Sequence, residues 1–347
     1  MNPIKFDGQK IDDNSPTFVI AEAGSNHNGD FAIAKELIDV AAEAGADAVK
    51  FQTFRAENVY VEESGQAEYL DDDRTLYEIL ADMEMPYEWI PKLKEYADEQ
   101  DILFMSTPSD PRAVDELEPY VPVYKVESFH LSNHPFLRYL ASKKKPLVLS
   151  TGAHKMDEIS EAVAVLQQAG TEFVLLHCVS GYPTPLEQIN VRVVETLRNE
   201  FGVLTGLSDH TLDPTTAPAA AVSLGATVVE KHFTLDKNMD GPDHEFALEP
   251  DELDEMVSAI RKTERALGDG VKRLAEAEQE LHDKARRFIH ARTDISAGEE
   301  LTEENIGLLS PGEREPGLLP KHYEEILGRT ASRDIHRSAG ISWDDVE

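Results

Sequence analysis

The stretch FVIAEAGSNHNGDFAIAKELIDVAAEAGADAVKFQTF, residues 18–54, contains one complete strand–helix–strand unit. Residues 18–21 are apolar throughout, which is typical of a parallel strand buried on both faces. Residues 31–44 have the spacing of an amphipathic helix, and Gly45 follows it where a left-handed cap is expected. Residues 48–51 begin a second, mostly apolar run. The stretch therefore predicts two parallel strands joined by a crossover helix.

This alternation of a short apolar run and a longer helical pattern continues along most of the chain. The predicted strands are 18–21, 48–51, 102–105, 121–126, 147–150, 173–177, 203–207 and 227–232. The predicted helices are 31–44, 87–99, 110–117, 135–142, 156–169, 191–200, 214–224 and 251–267. About eight such units in roughly 270 residues predict a TIM (β/α)8 barrel. A doubly wound open sheet is the rival architecture, but no GxGxxG turn follows the first strand.

The pattern changes after the last helix of the predicted barrel. We predict a barrel domain over residues 1–270 and a polar linker over 271–284. From 285 to 347 the chain has short apolar runs separated by turn residues, such as Ser296-Ala297-Gly298 and Pro311-Gly312. A segment of this length is too short for a large core, so we expect a small domain that covers or completes a site.

The charge balance excludes some partners. The chain of 347 residues has a formal net charge of −34, which argues against nucleic acid and anionic lipid because both need a positive surface. We expect a salt-rich cytoplasm, in which ions screen the self-repulsion of the chain, although a generic acidic surface is an alternative. A single cysteine, Cys178, excludes an internal disulfide framework. With no export signal and no apolar run long enough to span a membrane, the expected location is the cytoplasm.

Polar side chains lie at the predicted strand ends, where barrel enzymes carry their chemistry. Lys50 and Lys125 face one mouth, with Ser150 and Ser208 nearby. Two ammonium groups and several hydroxyl donors suit a small multiply charged anion, such as a phosphate ester with a carboxylate. Two alternatives stay open: each lysine forms a structural ion pair with a neighbouring glutamate, or one lysine is a Schiff-base nucleophile.

Two histidines at neighbouring strand ends suggest a metal site. His210 and His232 follow adjacent strands about 4.8 Å apart, so both imidazoles can reach one ion. Two nitrogens plus water and substrate oxygens suit an open catalytic site for Mn²⁺, Zn²⁺, Co²⁺ or Fe²⁺, whereas two hydrogen-bonded histidines are the alternative. Glu22 could move a proton or hold a water, or stabilise its turn. Asp243 could contact a sugar hydroxyl or serve its own turn, and Tyr182 could form a pocket wall or simply pack.

These strand ends form an ordered set of motifs that resembles the sialic acid synthase family. The matching strings are IAEAGSNHNGD at 20–30, KFQ at 50–52, STP at 106–108, LSTG at 149–152, LLHC at 175–178, YPTP at 182–185, GLSDHT at 206–211, EKHFTLD at 230–236 and GPDH at 241–244. The tail is similar to the family's antifreeze-like (SAF) domain. The resemblance covers almost the whole chain.

The resemblance implies an activity. Members condense phosphoenolpyruvate with an N-acetylated amino-sugar aldehyde, such as N-acetylmannosamine, and form a nine-carbon 2-keto-3-deoxy acid and phosphate. The family's metal is commonly Mn²⁺, with Mg²⁺ or Co²⁺ as alternatives. The residues implied to bind phosphoenolpyruvate are Lys50, Thr107, Lys125, Ser150 and Ser208. The resemblance also implies a homodimer in which each SAF domain caps the partner's barrel.

The same resemblance assigns the remaining site residues. His210 and His232 would bind the metal, and Glu22 would position or deprotonate the water that attacks C2. The residues implied to touch the sugar are Gln52, Tyr182 and Asp243.

Two departures from the family pattern fall on the sugar side. His130 stands where a sugar-contacting carboxylate is usual, and Ser310 stands where an arginine precedes Pro-Gly, so Arg314 is the expected replacement. The phenylalanine at position 129 is similar to the residue that pseudaminic acid synthases have there. A legionaminate or pseudaminate synthase is therefore an alternative within the family. A Schiff-base aldolase and a non-catalytic sugar-binding barrel are the alternatives outside it.

Overall fold

The computed structural model describes residues 1–65 and 74–347, and it divides the chain into two compact units, Met1–Gly268 and Asp269–Glu347. The strands are β1 Ile4–Phe6, β2 Gln9–Ile11, β3 Phe18–Gly24, β4 Ala48–Thr53, β5 Leu103–Pro108, β6 Tyr124–Val126, β7 Leu147–Ser150, β8 Phe173–Cys178, β9 Leu204–Asp209, β10 Val228–His232, β11 Phe288–Ala291 and β12 Ile306–Leu309. The helices are α1 Phe31–Glu43, α2 Ala56–Val59, α3 Leu76–Asp82, α4 Ile90–Glu99, α5 Pro111–Leu117, α6 His134–Ser142, α7 Met156–Ala169, α8 Val193–Phe201, α9 Thr216–Ser223, α10 Pro250–Leu267, α11 Gln279–Lys284 and α12 Tyr323–Ile326.

The first unit is a TIM-like barrel, which confirms the predicted fold class. Strands β3 to β10 form one parallel sheet in the order β5-β4-β3-β10-β9-β8-β7-β6. The two outermost strands of this order, β5 and β6, also lie against each other, so the sheet curves round on itself. Helices cover its outer face, and the main core lies between helices and strands.

Five of the eight barrel strands in the described part of the chain reach further toward the mouth than predicted because polar residues continue the ladder there, whereas β6, β7 and β10 end at the predicted residue. Strand β9, for example, extends to Asp209. Strand β6 is shorter than its predicted range of 121–126 and begins only at Tyr124. Pro122 lies just before it, and since proline has no backbone N–H it cannot donate a hydrogen bond to a neighbouring strand.

The barrel interior changes from apolar to polar along its axis. Ile20, Val148 and Val228 belong to an apolar cluster inside the barrel, which also includes Ile4 and Phe6 of the β1–β2 hairpin. Side chains alternate along a strand, so a residue two positions beyond an inward-facing one also faces inward. In β10 this places Glu230 and His232 above Val228, and the polar end of the barrel becomes the candidate site.

The second unit has its own small core and is described separately. Strands β11 and β12 pair antiparallel, and Ile289, Leu301 and Ile326 are buried in its centre. The segment from Asp269 to its first strand includes a short 3₁₀ turn and the helix α11. Within residues 1–65 and 74–347, no helix is both long and apolar enough to cross a membrane.

Candidate active site

Lys50 lies at the centre of a polar group contributed by three adjacent strands. Its Nζ atom is 2.7 Å from Glu22 Oε2 and donates to Thr107 Oγ1 at 2.9 Å. Gln52 Nε2 donates to Glu22 Oε1 at 3.0 Å. The parallel register explains this proximity, because Glu22 is opposite Lys50 and Gln52 is opposite Thr107. Four predicted site residues are therefore brought together.

The second lysine forms a similar group two strands further round the barrel, on β6. Lys125 Nζ donates to Ser150 Oγ at 2.8 Å. Glu230 lies between the two lysines, with carboxylate oxygens 3.5 Å from Lys125 Nζ and 3.7 Å from Lys50 Nζ. Ser208 Oγ donates to Glu230 Oε1 at 3.0 Å. All five predicted anion-binding residues thus surround one small space.

Glu230 is a site residue that we did not select from the sequence. The sequence does contain a signal for this residue. Val228, Glu230 and His232 occupy every second position of one strand, so they must face the same side. An acidic residue at an inward-facing position of a barrel strand is a candidate site residue. The interpretation of the two lysines as structural ion pairs is also partly correct, since both lie within 4 Å of a buried carboxylate.

We call the space between these groups the inner cavity. Its polar lining includes Lys50, Thr107, Lys125, Ser150, Ser208 and Glu230. Because both lysines line an open cavity, their ion pairs do not exclude a ligand.

The inner cavity has two lysines that can pair with an anion, and both are paired with buried glutamates. Burial raises the pKa of Glu22 to about 7, against the attraction of the Lys50 ammonium. Burial opposes the charge of Lys50, but the carboxylates of Glu22 and Glu230 outweigh it and raise the Lys50 pKa. For Glu230, burial is outweighed by Lys125 and Lys50, which lower its pKa. With Glu22 partly protonated near neutral pH, the two lysines carry more charge than Glu22 and Glu230 together, and Glu127 is a third acidic residue in the lining.

The two imidazoles lie side by side at the ends of β9 and β10, with ring centroids 5.5 Å apart. His210 Nδ1 is 2.9 Å from the carbonyl oxygen of Val179, which fixes the proton on Nδ1 and leaves Nε2 with its lone pair. Burial lowers the pKa of His210, but the nearby Cys178 and the Val179 carbonyl outweigh it and raise that pKa. Burial holds the pKa of His232 well below its ordinary value, so this ring is neutral.

This pair fits a metal ion that keeps open positions. Buried His232 Nδ1 has no hydrogen-bond partner and lies 3.8 Å from Asp243 Oδ2. Across the described parts of the chain, no group of three or more His, Cys, Asp or Glu side chains could hold a metal. The protein therefore offers two nitrogen donors, and water or substrate would have to complete the coordination.

Aromatic side chains surround the imidazole pair. The Tyr182 ring is 4.4 Å from that of His210, and the Phe246 ring is 5.2 Å from that of His232. Phe246 is a second residue that the sequence analysis missed, and no periodic signal marks it because it lies in a loop. Burial raises the pKa of Asp243 to about 6. Gly24 has a φ of +54°, which residues with a side chain rarely adopt, and it lies next to this carboxylate: a Cβ there would be in van der Waals contact with Asp243 Oδ2, at 3.4 Å.

A larger opening adjoins these groups, and we call it the outer cavity. Its lining includes Gln52, Tyr182, Asp243 and Phe246, and residues of α2 and α3. His232 lines both cavities. A ligand in the inner cavity and a second ligand in the outer cavity would therefore meet at the imidazole pair.

One predicted residue of the first unit, His130, lines neither cavity. His130 Nε2 lies 3.4 Å from Glu127 Oε1, and its ring packs against Phe136, with centroids 4.6 Å apart. Arg314 belongs to the second unit, so its contact with the sugar stays a prediction. In that unit Ser310 Oγ accepts a hydrogen bond from Arg287 at 2.9 Å, which places a guanidinium beside the position that has lost the family's arginine.

Known proteins match this chain over its full length. Residues 37–272 match the NeuB family and residues 286–347 match the SAF domain. The spore coat polysaccharide biosynthesis protein SpsE of Bacillus subtilis is 39% identical over 100% of this chain and 98% of its own. The N,N'-diacetyllegionaminic acid synthase of Legionella pneumophila is 38% identical over 99% of this chain and 98% of its own. The solved N-acetylneuraminic acid synthetase of Leptospira borgpetersenii, determined with citrate, is 33% identical, covers 81% of this chain and 95% of its own, and has a TM-score of 0.74.

Proposed function

This chain belongs to the NeuB family, and we propose that it condenses phosphoenolpyruvate with an N-acetylated amino-sugar aldehyde of the N-acetylmannosamine type. The products are a nine-carbon 2-keto-3-deoxy sugar acid and inorganic phosphate. One observation carries the proposal: the inner cavity with its two lysines and the outer cavity share His232, so an anion and a sugar can meet there.

Phosphoenolpyruvate binds in the inner cavity. Its carboxylate and phosphate are satisfied by the ammonium groups of Lys50 and Lys125 and by the hydroxyls of Thr107, Ser150 and Ser208. Each lysine is already oriented by a hydrogen bond to a hydroxyl neighbour, so little ordering is needed on binding.

The carbon–carbon bond forms between C3 of phosphoenolpyruvate and the aldehyde carbon. The electron pair of the carbonyl bond moves to the aldehyde oxygen, which then takes a proton. A divalent ion held by His210 and His232, for which we propose Mn²⁺, would supply a Lewis acid for that oxygen. Gln52, Tyr182 and Asp243 orient the sugar from the outer cavity, so that its aldehyde end lies toward the inner one.

Water then adds to C2, which has become electron-poor. Glu22 holds this water and accepts its proton, and a pKa near 7 suits a group that must take up and release a proton at neutral pH. The resulting adduct loses phosphate by cleavage of the C2–O bond, and the hydroxyl left on C2 gives up its proton to become the ketone.

The Schiff-base alternative fits the site less well. A lysine nucleophile must be neutral, whereas Glu22 and Glu230 raise the pKa of Lys50. Borohydride treatment in the presence of substrate discriminates between the two: it traps a lysine adduct in an aldolase and traps none in the synthase.

The test is acceptor-dependent release of phosphate from phosphoenolpyruvate. We expect Lys50→Met or Lys125→Met to raise the KM for phosphoenolpyruvate by about 100-fold, because each removes a charged hydrogen bond. The exposed Lys92→Met is the matched control. Unchanged phosphoenolpyruvate kinetics in both buried-lysine variants would show that the anion site is assigned wrongly.

The metal assignment has a separate test. We expect chelation by EDTA to abolish phosphate release and added Mn²⁺ to restore it. Calorimetry with Mn²⁺ alone gives a readout independent of turnover, and His210→Ala and His232→Ala should each weaken binding by about 100-fold. Undiminished turnover in protein shown to be free of metal would refute this part of the proposal.

We also propose a homodimer in which each SAF domain caps the partner's barrel, as the family resemblance implies. The guanidinium of Arg314, or that of Arg287 beside Ser310, would then reach the sugar's acyl group. Light scattering tests the dimer. Arg287→Ala and Arg314→Ala should be compared for a raised KM toward the sugar alone, and no change in either would reject this contact.

A further inference from the structure

We propose that His244 is a positioning residue for the sugar acceptor: its ring fixes the loop between β10 and α10 so that Asp243 and Phe246 stay beside His232. We call residues 233–249 the β10–α10 loop. This role rests on the proposed function, because it concerns how the acceptor end of that site keeps its shape. His244 itself lines neither the inner nor the outer cavity, so it acts through its neighbours and not by contact with a ligand.

The β10–α10 loop carries two side chains that lie against the imidazole pair. Asp243 Oδ2 is 3.8 Å from His232 Nδ1, and the centroid of the Phe246 ring is 5.2 Å from that of His232. Both residues line the outer cavity. Neither belongs to a helix or a strand, so the regular backbone bonds of the barrel do not hold them in place. Other contacts of the loop must therefore set their positions.

The ring of His244 connects three separate segments of the barrel unit. His244 lies between Asp243 and Phe246 in the chain and is almost completely buried. Its Nδ1 is 2.6 Å from Thr234 Oγ1, just after β10, and its Nε2 is 3.1 Å from Asn28 Oδ1, in the turn after β3. Strands β3 and β10 are neighbours in the sheet. Both ring nitrogens therefore tie the middle of the loop to the ends of two adjacent strands.

The partners of the ring determine which nitrogen carries the proton. Asn28 Nδ2 donates to the carbonyl oxygen of Asp240 at 2.9 Å, so Asn28 Oδ1 is the atom left to accept from His244 Nε2–H. His244 Nδ1 then has a lone pair, and it accepts from the Thr234 hydroxyl. Burial lowers the pKa of His244 against the attraction of Asp236 and Asp240, which agrees with a neutral ring. Each bond thus has one donor and one acceptor.

A glycine allows the loop to lie close against this ring. Gly241 has a φ of +142°, which residues with a side chain rarely adopt. A Cβ there would lie 2.8 Å from His244 Cδ2 and 3.1 Å from its Nε2, closer than the ring could accept without a shift. The hydrogen bonds of the ring and its steric fit act on the same stretch of the loop, so a displaced ring would displace Asp243 with it.

The far end of the loop is attached without His244. Leu248 N–H donates to the carbonyl oxygen of His232 at 2.9 Å, and Thr234 N–H donates to that of Leu248 at 2.8 Å. These backbone bonds join the end of the loop to the end of β10. Removal of the imidazole should therefore loosen residues 240–246 while the barrel strands keep their places.

Steady-state phosphate release, measured with Mn²⁺ and with phosphoenolpyruvate or N-acetylmannosamine varied in turn, tests this role. We expect His244→Ala to raise the KM for the sugar by about tenfold, because a small misplacement of binding groups is costly. The KM for phosphoenolpyruvate should stay within about twofold of the wild-type value, since no residue of the β10–α10 loop lines the inner cavity.

His154→Ala is the matched control. The ring of His154 also bridges two loops, with Nδ1 2.8 Å from the carbonyl oxygen of Gly152 and Nε2 3.3 Å from Ser132 Oγ. It lines neither cavity. Its removal should leave both KM values unchanged, which separates the loss of any bridging ring from the loss of this one.

Variants of the hydroxyl partner test the same bond without removing the ring. Thr234 is completely buried, and Thr234→Val keeps its shape but leaves His244 Nδ1 without a donor. We expect Thr234→Val to raise the KM for the sugar by about fivefold, and Thr234→Ser, which keeps the hydroxyl, to show nearly the wild-type value. The double variant Thr234→Val/His244→Ala should be no worse than His244→Ala alone, because the hydroxyl then has no ring to bond.

The outcomes separate this role from the proposed function. If the wild type releases no phosphate in response to the sugar, the proposed function fails. If it does, but His244→Ala keeps the wild-type KM for the sugar or raises both KM values alike, the positioning role is wrong although the synthase reaction stands. Should His244→Ala not fold, Thr234→Val and Thr234→Ser decide: equal KM values for the sugar in these two variants would overturn the role.

Discussion

The protonation state of Glu22 should make the rate of the reaction depend on pH. Burial raises the pKa of its carboxyl to about 7, and only the ionised form can accept a proton from water. We therefore predict that kcat/KM rises with pH through about 7 and is low below it. Glu22→Gln should lower kcat by about 100-fold or more and remove this limb of the profile. A profile of phosphate release against pH that keeps its acidic limb in Glu22→Gln would contradict the role.

The buried side chain of His27 should make the stability of the fold depend on pH. Its Nδ1 accepts a hydrogen bond from the Gly29 N–H at 3.0 Å, its ring packs edge-on against Trp89, and burial lowers its pKa to about 4. The unfolded chain binds a proton near pH 6.5, so this stability is present above that pH and is lost as the pH falls toward 4. Between pH 7 and pH 5, the wild type should lose about 2 kcal/mol more of its free energy of unfolding than the His27→Asn variant loses.

Urea unfolding at the two pH values measures this difference. Asparagine keeps an acceptor near the position of Nδ1, so the variant tests titration and not the loss of a hydrogen bond. The exposed His336→Asn is the control. Equal losses in the wild type and in His27→Asn would contradict the prediction.

Neighbouring strands β9 and β10 are joined outside the cavities by a buried ion pair. Lys231 Nζ lies 2.6 Å from Asp209 Oδ2, and both side chains are almost completely buried. These residues immediately precede His232 and His210. The pair therefore links the two strand ends that carry the imidazoles.

Removal of one partner should be costly. Lys231→Met leaves the Asp209 carboxylate buried, and we expect a loss of about 3 kcal/mol in the free energy of unfolding. The double variant Asp209→Leu/Lys231→Met should recover part of that loss, because no charge is then left unpaired. Lys237→Met, which breaks the more exposed pair with Glu252, should cost under about 1 kcal/mol. A loss of that smaller size in Lys231→Met would contradict the prediction.

Elements of the barrel differ in how well the sequence predicts them. Strands such as Phe173–Cys178 are apolar on both faces, and this alone distinguishes them from the amphipathic helices between them. The β1–β2 hairpin was not predicted, because its three-residue strands are too short to show a period. The helix Ala56–Val59 was missed because it has only four residues.

The residues of the candidate site also differ in how well the sequence predicts them. Lys50, Lys125 and the imidazole pair could be predicted because strand ends converge at one mouth of the barrel. Phe246 could not, because its place beside His232 depends on the path of a loop. Loop positions follow from tertiary packing, for which a single sequence has no periodic signal.

The whole molecule carries a formal net charge of −34, and this predicts its response to salt. The Debye length falls from about 10 Å at 0.1 M to about 3 Å at 1 M, so salt weakens the repulsion among carboxylates. We expect the thermal midpoint to rise steadily from dilute buffer to 2 M KCl, as followed by circular dichroism. Sucrose at the same osmolality should raise it much less. If the protein unfolds in molar KCl and refolds in dilute buffer, the interpretation that it is adapted to high salt is wrong.

The central claim is that a lysine-lined cavity and an adjoining acceptor cavity serve one condensation. The most direct measurement uses phosphoenolpyruvate labelled with ¹⁸O in the oxygen that bridges C2 and phosphorus, together with an N-acetylated amino sugar and Mn²⁺. Mass spectrometry of the products should find the label in inorganic phosphate, released only when the sugar is present, and an unlabelled keto acid of matching amount. Phosphate that lacks the label, or that is released equally without the sugar, would contradict the account.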